Sequence, residues 1–442
     1  MSMPRKVAFD VLYKIQEDEG YSSIVVNKAL CEQGLKGLDS AFASAIIYGV
    51  LEKRITLDYV IRRHSTLRLK KIEPKTLIVL RMGAYQLLFM DKVPDNAAVN
   101  ESVKLVKKLK LFRSVGFVNA VLRGIAGDDK CLNFNNIKIK EERFSVQYSV
   151  PIDIIKMWLT EYGEKVVVDM LKKLDGRPPL YARVNTEKTA VECLAENLHL
   201  EGVVTEPTVL PTMLKLSRTG AVEQLESFKK GEFYIQDLSS NIAVTTLCPK
   251  SGEVLYDVCS APGGKAFASA LLMKNHGVVR GFDLYPHRVG LIEEAAKRLG
   301  LGIVKAEVHN ALAGFEDEVV DVVICDVPCS GLGLMRRKPE IRYKENIFDN
   351  SLKEIQYEIL TAASKLLKKG GRLMYSTCTL NPDENGHIVE KFLNENNGFV
   401  GKELVLPDNV YRTIEEKSYE CTLFPQTNDS DGFYFAVLKR VN

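Results

Sequence analysis

The chain has 442 residues, of which 46% are hydrophobic and 26% are charged, and its formal net charge is +3 at pH 7. This length exceeds one ordinary hydrophobic core, so it predicts two or three domains of a soluble globular protein. No uninterrupted apolar run approaches the roughly 20 residues of a membrane span, and charged residues occupy the N-terminus, where a signal peptide is apolar. We therefore expect a cytoplasmic protein that does not cross a membrane.

Residues 1–130 have the pattern of an all-helical domain. Val99, Val103 and Val106 recur at helical spacing, and lysines occupy the turns between them. The stretch 127–149 is largely polar and aperiodic, which predicts a linker.

A second region, residues 150–250, begins with helical sequence around the single tryptophan, Trp158, which we expect in the core. After two adjacent prolines the pattern changes. Short apolar runs predict strands at 180–185, 213–216 and 232–235, and a helix is predicted at 190–197. These elements indicate a small α+β module.

From residue 251 to 442, predicted strands and helices alternate. The strands are expected at 254–258, 278–283, 303–308, 319–326, 372–377 and 433–439, with helices such as 287–299 and 352–368 between them. This alternation predicts an α/β domain with a Rossmann-like, doubly wound and mostly parallel sheet.

A glycine-containing loop follows the first strand of this region and begins a helix. It consists of Cys259, Ser260, Ala261, Pro262, Gly263, Gly264 and Lys265. Paired glycines let a ligand approach the backbone, and a helix N-terminus offers unpaired N–H groups. Two glycines could equally make a plain tight turn, and neither the P-loop nor the dinucleotide pattern is present. However, Asp283 ends the next strand, where a carboxylate can accept ribose hydroxyls, so the whole arrangement favours a nucleoside-binding crevice.

Two cysteines follow later strands on the same side of the predicted sheet. Cys329 comes after the fourth strand, three residues beyond Asp326, and Cys378 comes after the fifth. A thiolate that adds to carbon 6 of cytosine makes carbon 5 nucleophilic enough to accept a methyl group from a sulfonium donor. An acid such as Asp326, if it is protonated or shares a proton, would stabilise the charge that develops near ring nitrogen 3. A second thiol could assist release.

The motifs at 257–265, 326–330 and 377–379 resemble those of the RNA cytosine-5 methyltransferases. This resemblance implies S-adenosyl-L-methionine as the cofactor, Cys378 as the nucleophile and Cys329 as the residue that assists product release. It also implies that the cofactor pocket is lined by a set of residues comprising Cys259, Ser260, Ala261, Pro262, Gly263, Gly264, Lys265, Asp283 and Asp326.

One position departs from the family pattern. After the third strand the family usually has an aspartate near the adenine, and this chain has Asn310. An amide can still hydrogen-bond the adenine edge, so we expect altered affinity and retained binding.

The helical region resembles the NusB-like RNA-binding domain, most clearly at 81–87 and 116–123. Joined to the catalytic motifs, it resembles the bacterial 16S rRNA cytosine-5 methyltransferases over nearly the whole chain, which implies 16S rRNA or the assembling small ribosomal subunit as the partner. Clustered basic residues could bind phosphates, and the candidates are Lys104, Lys107, Lys108, Lys110, Arg113 and 336–338. The helical lysines could equally form a solvated face, so the arginines that follow the Cys329 loop are the favoured phosphate ligands.

Two other functions remain open. One is the same chemistry on transfer RNA, and the other is a non-catalytic RNA-binding assembly factor. The nine cysteines are scattered, and they form neither a CxxC pair nor a Cys/His metal spacing, so we expect reduced thiols and no metal. The sequence predicts neither the oligomeric state nor the cytosine that is modified.

Overall fold

The computed structural model describes residues 3–18, 26, 29–30, 32–315, 320–344 and 347–442. The chain forms two compact units, one comprising Met1–Val167 with Arg337–Glu345 and the other comprising Val168–Arg336 with Asn346–Asn442. Within the described residues, no helix is both long enough and apolar enough to span a membrane.

The first unit is helical, as predicted for residues 1–130, but helix Lys140–Tyr148 lies in the stretch 127–149, where a linker was predicted. Its described α-helices are Met3–Asp18, Gly37–Glu52, Arg54–His64, Pro74–Phe89, Asp95–Lys108, Val115–Ala126, Lys140–Tyr148 and the first part of Ile152–Lys173. The last of these is interrupted at Gly163, which has φ 74°. Trp158 is fully buried, as expected of a core residue.

The stretch Arg337–Glu345 joins this helical unit although it follows the Cys329 loop in sequence. It contains a short 3-10 helix, Pro339–Tyr343. The buried Arg342 donates from Nη1 to the carbonyl oxygens of Glu52 at 2.9 Å and Ser149 at 3.1 Å. Sequence periodicity does not predict this assignment, because it depends on contacts between distant segments.

The second unit begins with a four-stranded antiparallel sheet in the order β2-β3-β1-β4. Its strands are β1 Leu180–Val184, β2 Val204–Pro207, β3 Met213–Ser217 and β4 Phe233–Ile235, with helices Val191–Leu200 and Glu226–Lys229 between them. The predicted α+β module is therefore present. The sequence analysis did not predict β2, which has four mostly exposed residues and no apolar alternation.

The larger sheet has the strand order β10-β12-β9-β8-β5-β6-β7, and β11 pairs with β12. Its strands are β5 Val254–Asp257, β6 Val278–Asp283, β7 Val304–Val308, β8 Val320–Asp326, β9 Leu367–Thr377, β10 Phe399–Gly401, β11 Glu420–Leu423 and β12 Phe433–Arg440. Strands β5 to β9 pair in parallel, and β12 is antiparallel to β9. The predicted Rossmann-like α/β sheet is confirmed.

Helices cover both faces of this sheet, so its central strands are buried on both sides. They are Leu238–Leu247, Gly264–Leu272, Pro286–Leu299, Asn350–Ser364 and Gly386–Glu395, followed by the short Pro425–Asn428. In β8, Val322 and Ile324 pack into one hydrophobic cluster, and Val323 and Cys325 pack into another. This alternation explains why β8 is a continuous apolar run in the sequence.

Some predicted boundaries were wrong. The helix predicted at 352–368 ends at Ser364, and β9 begins at Leu367 rather than at 372, because Gly370 and Gly371 obscure the first half of an 11-residue strand. Residue 319, the predicted start of β8, lies outside the described residues. Strands β10 and β11 are short, and the sequence analysis did not predict them.

Candidate active site

The sheet gathers the predicted site residues at the carboxyl ends of its parallel strands. The Cys259–Lys265 loop follows β5, Asp283 ends β6, Asp326 ends β8 and Cys378 follows β9. The strand order reverses between β5 and β8, and open α/β sheets bind ligands at such a switch point. Residues that are distant in sequence are thus brought to one crevice.

The loop after β5 has the backbone geometry that its glycines predict. Gly263 has φ 100°, and a Cβ built there would lie 2.4 Å from the ring of Phe267, so only glycine fits. Gly264 begins helix Gly264–Leu272. The loop is closed by a hydrogen bond from the Gly263 N–H to the Ser260 carbonyl at 2.7 Å, and Arg288 donates to the Ala261 carbonyl at 2.9 Å.

Asp257, at the end of β5, is a site residue that the sequence analysis did not single out. It is 1% exposed, and neither carboxylate oxygen has a hydrogen-bond partner among the described residues. Burial raises the pKa of Asp257 to about 7, against the opposing effect of Lys265. The buried Ser260 hydroxyl interacts with this carboxyl and opposes the rise in its pKa, but it forms no well-aligned hydrogen bond among the described residues. Buried polar groups are seldom left unpaired, so these atoms indicate a ligand that donates hydrogen bonds.

Lys265 and Asp326 form an ion pair with Nζ 2.6 Å from Oδ2. The other oxygen of Asp326 accepts a hydrogen bond from Ser376 Oγ at 2.8 Å. Burial alone would lower the pKa of Lys265, but the attraction of Asp326 outweighs it and raises that pKa. Lys265 also interacts electrostatically with Cys378. Lys265 therefore keeps its proton in an ion pair that lies within electrostatic range of the Cys378 thiol.

The two cysteines predicted to lie in the active site, Cys329 and Cys378, are in contact. Cys329 Sγ lies 3.2 Å from Cys378 Sγ, and both residues are half-buried. The hydrogen bond with Cys378, followed by burial, raises the pKa of Cys329 well above its ordinary value. Cys329 therefore stays a protonated thiol beside Cys378.

A buried carboxylate supports the Cys329 loop. Glu384, 1% exposed, accepts hydrogen bonds from the Ser330 N–H at 2.8 Å and from Gln356 Nε2 and Asn381 Nδ2, both at 2.9 Å. Gln356 also donates to the carbonyl of Pro328. Sequence reasoning did not find Glu384, because nothing in the run Asn381–Asn385 indicates that its one glutamate is buried.

The remaining predicted residues differ in their surroundings. Asp283 is buried, with Oδ2 3.2 Å from Arg288 Nη1 and Oδ1 accepting the Tyr285 N–H at 3.1 Å. Asn310 is exposed after β7, and its Oδ1 caps the next turn by accepting the Leu312 N–H at 3.1 Å. Burial raises the pKa of Cys259 far above that of a reactive thiol.

Arg336, predicted to bind phosphate, is paired with Asp429 at 2.7 Å. The ion pair gives Nη1 of Arg336 a structural partner, while its buried Nε has none among the described residues.

Comparisons with known proteins agree across the chain. Residues 244–439 match the family described as 16S rRNA methyltransferase RsmB/F, residues 2–127 match the NusB family, and residues 151–223 match the ferredoxin-like domain of RsmF/B-like methyltransferases. Among solved structures, the crystal structure of PH0851 has a TM-score of 0.80 and 26% identity, covering 100% of both chains. A methyltransferase homolog from Pyrococcus horikoshii has a TM-score of 0.60 and 25% identity, covering 69% of this chain and 100% of its own.

Three curated relatives match from end to end. The probable ribosomal RNA small subunit methyltransferase B of Bacillus subtilis is 33% identical, covering 99% of this chain and 98% of its own. That of Synechocystis is 32% identical over 100% of both chains, and the ribosomal RNA small subunit methyltransferase B of Vibrio cholerae is 30% identical over 99% of this chain and 97% of its own. Full-length identity at this level, on a chain with the same three matched regions, shows that the protein belongs to the ribosomal RNA small subunit methyltransferase B family.

Proposed function

We propose that this chain methylates carbon 5 of a cytosine in 16S rRNA, through a covalent bond between Cys378 and carbon 6 of that cytosine. The observation that carries the proposal is the 3.2 Å approach of the Cys329 and Cys378 thiols beside the Lys265–Asp326 ion pair. A methyltransferase that acted on a nitrogen or an oxygen would have no step that needs two thiols.

The crevice has acceptors suited to S-adenosylmethionine, which supplies an electrophilic methyl group on a sulfonium when bound. Its amino group and its ribose hydroxyls are hydrogen-bond donors. Asp283 would accept the ribose hydroxyls, and the buried oxygens of Asp257 would accept a further donor. The backbone of Cys259–Lys265 would border the ligand, with Asp326 lining the pocket and Asn310 at the adenine edge.

Cys378 and Asp326 would act on the pyrimidine ring. The Cys378 thiolate adds to carbon 6, and Lys265 stabilises the thiolate before the attack. Electron density moves from the carbon 5–carbon 6 double bond toward ring nitrogen 3. A proton delivered to ring nitrogen 3 through the Lys265–Asp326 pair, whose Nζ and Oδ2 atoms lie 2.6 Å apart, would neutralise the developing charge. Carbon 5 is then nucleophilic enough to receive the methyl group.

Cys329 would act in the second half of the reaction. Once carbon 5 has lost its proton to a base, the double bond re-forms and Cys378 leaves as a thiolate. The Cys329 thiol, which burial and Cys378 keep protonated, donates a hydrogen bond to that departing sulfur. This lowers the barrier to release without adding a competing nucleophile.

Domain roles complete the proposal. We assign residues 1–130 to RNA binding, 150–250 to a small module beside the catalytic sheet, and 251–442 to methyl transfer. The substrate would be 16S rRNA or the assembling small subunit. An intact pair of thiols argues against a purely structural assembly factor.

The decisive experiment maps 5-methylcytosine in ribosomal and transfer RNA from cells with and without the gene. We expect one 16S cytosine to lose its methyl group, and to regain it when the wild-type gene is returned but not when the Cys378→Ala gene is returned. A loss confined to transfer RNA would reassign the substrate. Restoration by Cys378→Ala would overturn the thiol mechanism.

A further inference from the structure

A cluster of side chains of the types that ligate metals lies in the helical unit, apart from the candidate active site. His64 ends helix Arg54–His64, and Asp128 and Cys131 lie in the turn that follows helix Val115–Ala126. One donor atom from each residue lies within 4.8 Å of the other two. None of these residues belongs to the site proposed for methyl transfer.

The distances in this cluster fit a tetrahedral ion. His64 Nε2 is 3.2 Å from Asp128 Oδ2 and 3.6 Å from Cys131 Sγ. With zinc about 2.0 Å from nitrogen or oxygen and about 2.3 Å from sulfur, tetrahedral ligands lie about 3.3 Å apart for nitrogen and oxygen, and about 3.5 Å apart for nitrogen and sulfur. The two distances from His64 therefore match a tetrahedral site, and the third pair of donor atoms lies within 4.8 Å.

The surroundings also suit a cation. The carboxyl end of a helix, where His64 lies, carries partial negative charge. Gly124 leaves room for the imidazole, since a Cβ built there would lie 3.2 Å from His64 Nδ1. Cys131 is buried, while the side chains of His64 and Asp128 are 17% and 25% exposed. A water molecule can therefore reach a fourth coordination position.

Arg63 is the group that competes with a metal. Its Nη2 lies 3.4 Å from Asp128 Oδ2, and its Nη1 donates to the Cys131 carbonyl at 3.3 Å. The contact with Asp128 is long, and the arginine side chain is 35% exposed, so it can turn toward solvent. The alternative to a metal site is a hydrogen-bonded cluster that includes this arginine.

We propose that His64, Asp128 and Cys131 bind one zinc ion, with water as the fourth ligand. The ion would link the end of helix Arg54–His64 to the turn that follows helix Val115–Ala126. Imidazole and thiolate donors select zinc over magnesium or calcium, which prefer oxygen. The ligand positions are 64, 128 and 131, a spacing that matches no short metal motif, so the sequence analysis predicts no metal here.

Metal binding would replace the thiol proton, which passes to solvent as the sulfur–zinc bond forms. In the metal-free protein the thiol donates to the Ile125 carbonyl at 3.5 Å.

Cobalt(II) tests the site, because a thiolate–cobalt bond gives a near-ultraviolet charge-transfer band. The full-length chain is stripped of metal with a chelator, kept reduced and titrated with cobalt chloride. We expect one cobalt per chain, and loss of the band in Cys131→Ser. A Cys329→Ala/Cys378→Ala chain should keep the band, which separates this site from the paired thiols. Cys421→Ser, at another buried cysteine, controls for the substitution itself.

His64→Gln provides a second variant, since it changes a partly exposed ligand and leaves the buried cysteine in place. Zinc chloride should raise the unfolding temperature of the wild-type chain and leave that of His64→Gln unchanged. The proposal fails if the wild-type chain gives no charge-transfer band, if the band persists in both ligand variants, or if zinc stabilises both chains equally.

Discussion

Replacing Glu384 by glutamine should slow release of the methylated product, because Glu384 holds the loop that carries Cys329. Each of its carboxylate oxygens accepts two hydrogen bonds: Oε1 from the Ser330 hydroxyl and Asn381 Nδ2, and Oε2 from the Ser330 N–H and Gln356 Nε2. An amide turns one of those acceptors into a donor, so two of the four bonds are lost.

Hydrogen bonds to a charged group contribute roughly 1.5–3 kcal/mol each, so two are worth about 3–6 kcal/mol. Some side-chain partners can rotate to become acceptors. We therefore expect the free energy of unfolding to fall by about 2–4 kcal/mol.

Two measurements on the same variant test this reasoning. Thermal or urea unfolding gives the loss of stability, and a denaturing gel follows the RNA–protein adduct through a single turnover. If Glu384 positions Cys329, the adduct should persist longer in Glu384→Gln than in the wild-type chain. Glu390→Gln is the control, since Glu390 is exposed and its contact with Lys417 is 3.5 Å long. Adduct lifetimes and stability equal to the wild type would refute the positioning role.

Three further predictions follow from the site. Cys378→Ala should abolish both methylation and the covalent adduct, whereas Cys329→Ala should accumulate the adduct on a denaturing gel; the opposite pattern would exchange their roles. Asp283→Ala should weaken S-adenosylmethionine binding by about tenfold or more in calorimetry, since it removes a charged acceptor, and unchanged affinity would reject the assigned pocket. Asp257 has a folded pKa of about 7 against an ordinary 3.8, so its ionisation destabilises the fold progressively as the pH rises from about 4 to 7. Asp257→Asn should therefore raise the unfolding free energy at pH 8 by about 2–4 kcal/mol and at pH 4 by little. An equal effect at both pH values would show that burial does not raise the pKa of Asp257.

The core of the catalytic sheet was predictable because its central strands are apolar on both faces. Strand β8 shows this most clearly, because Val322–Cys325 is an uninterrupted hydrophobic run between two aspartates. Edge strands lack that signal. In β2, three of the four residues are exposed or partly exposed polar or proline residues, and β10 has only three residues. Strands β2 and β10 are defined by their pairing with β3 and β12. A local sequence pattern contains no information about such pairing.

The candidate site was predictable to the extent that its residues end strands. Cys329, Cys378 and Asp326 each follow an apolar run, so topology alone brings them together. The burial of Glu384 could not be predicted, because a carboxylate in the polar run Asn381–Asn385 looks the same whether it is solvated or enclosed. Its partners come partly from other segments, such as Gln356.

In the helical unit, some of the residues that resemble NusB are buried in the packing between helices. Arg81 is buried and paired with Asp58 at 2.7 Å, and a Cβ at Gly83 would lie 2.6 Å from Leu122. Arg81 and Gly83 therefore maintain helix packing, whereas Arg123, in the second resembling segment, is exposed. Lys107 and Lys108, which lie outside the motif, are exposed. Contacts with phosphates supply much of a protein's affinity for RNA, whereas buried contacts determine how the helices pack. The resemblance therefore identifies the fold of this unit, and the exposed cations are the candidates for its RNA-binding face.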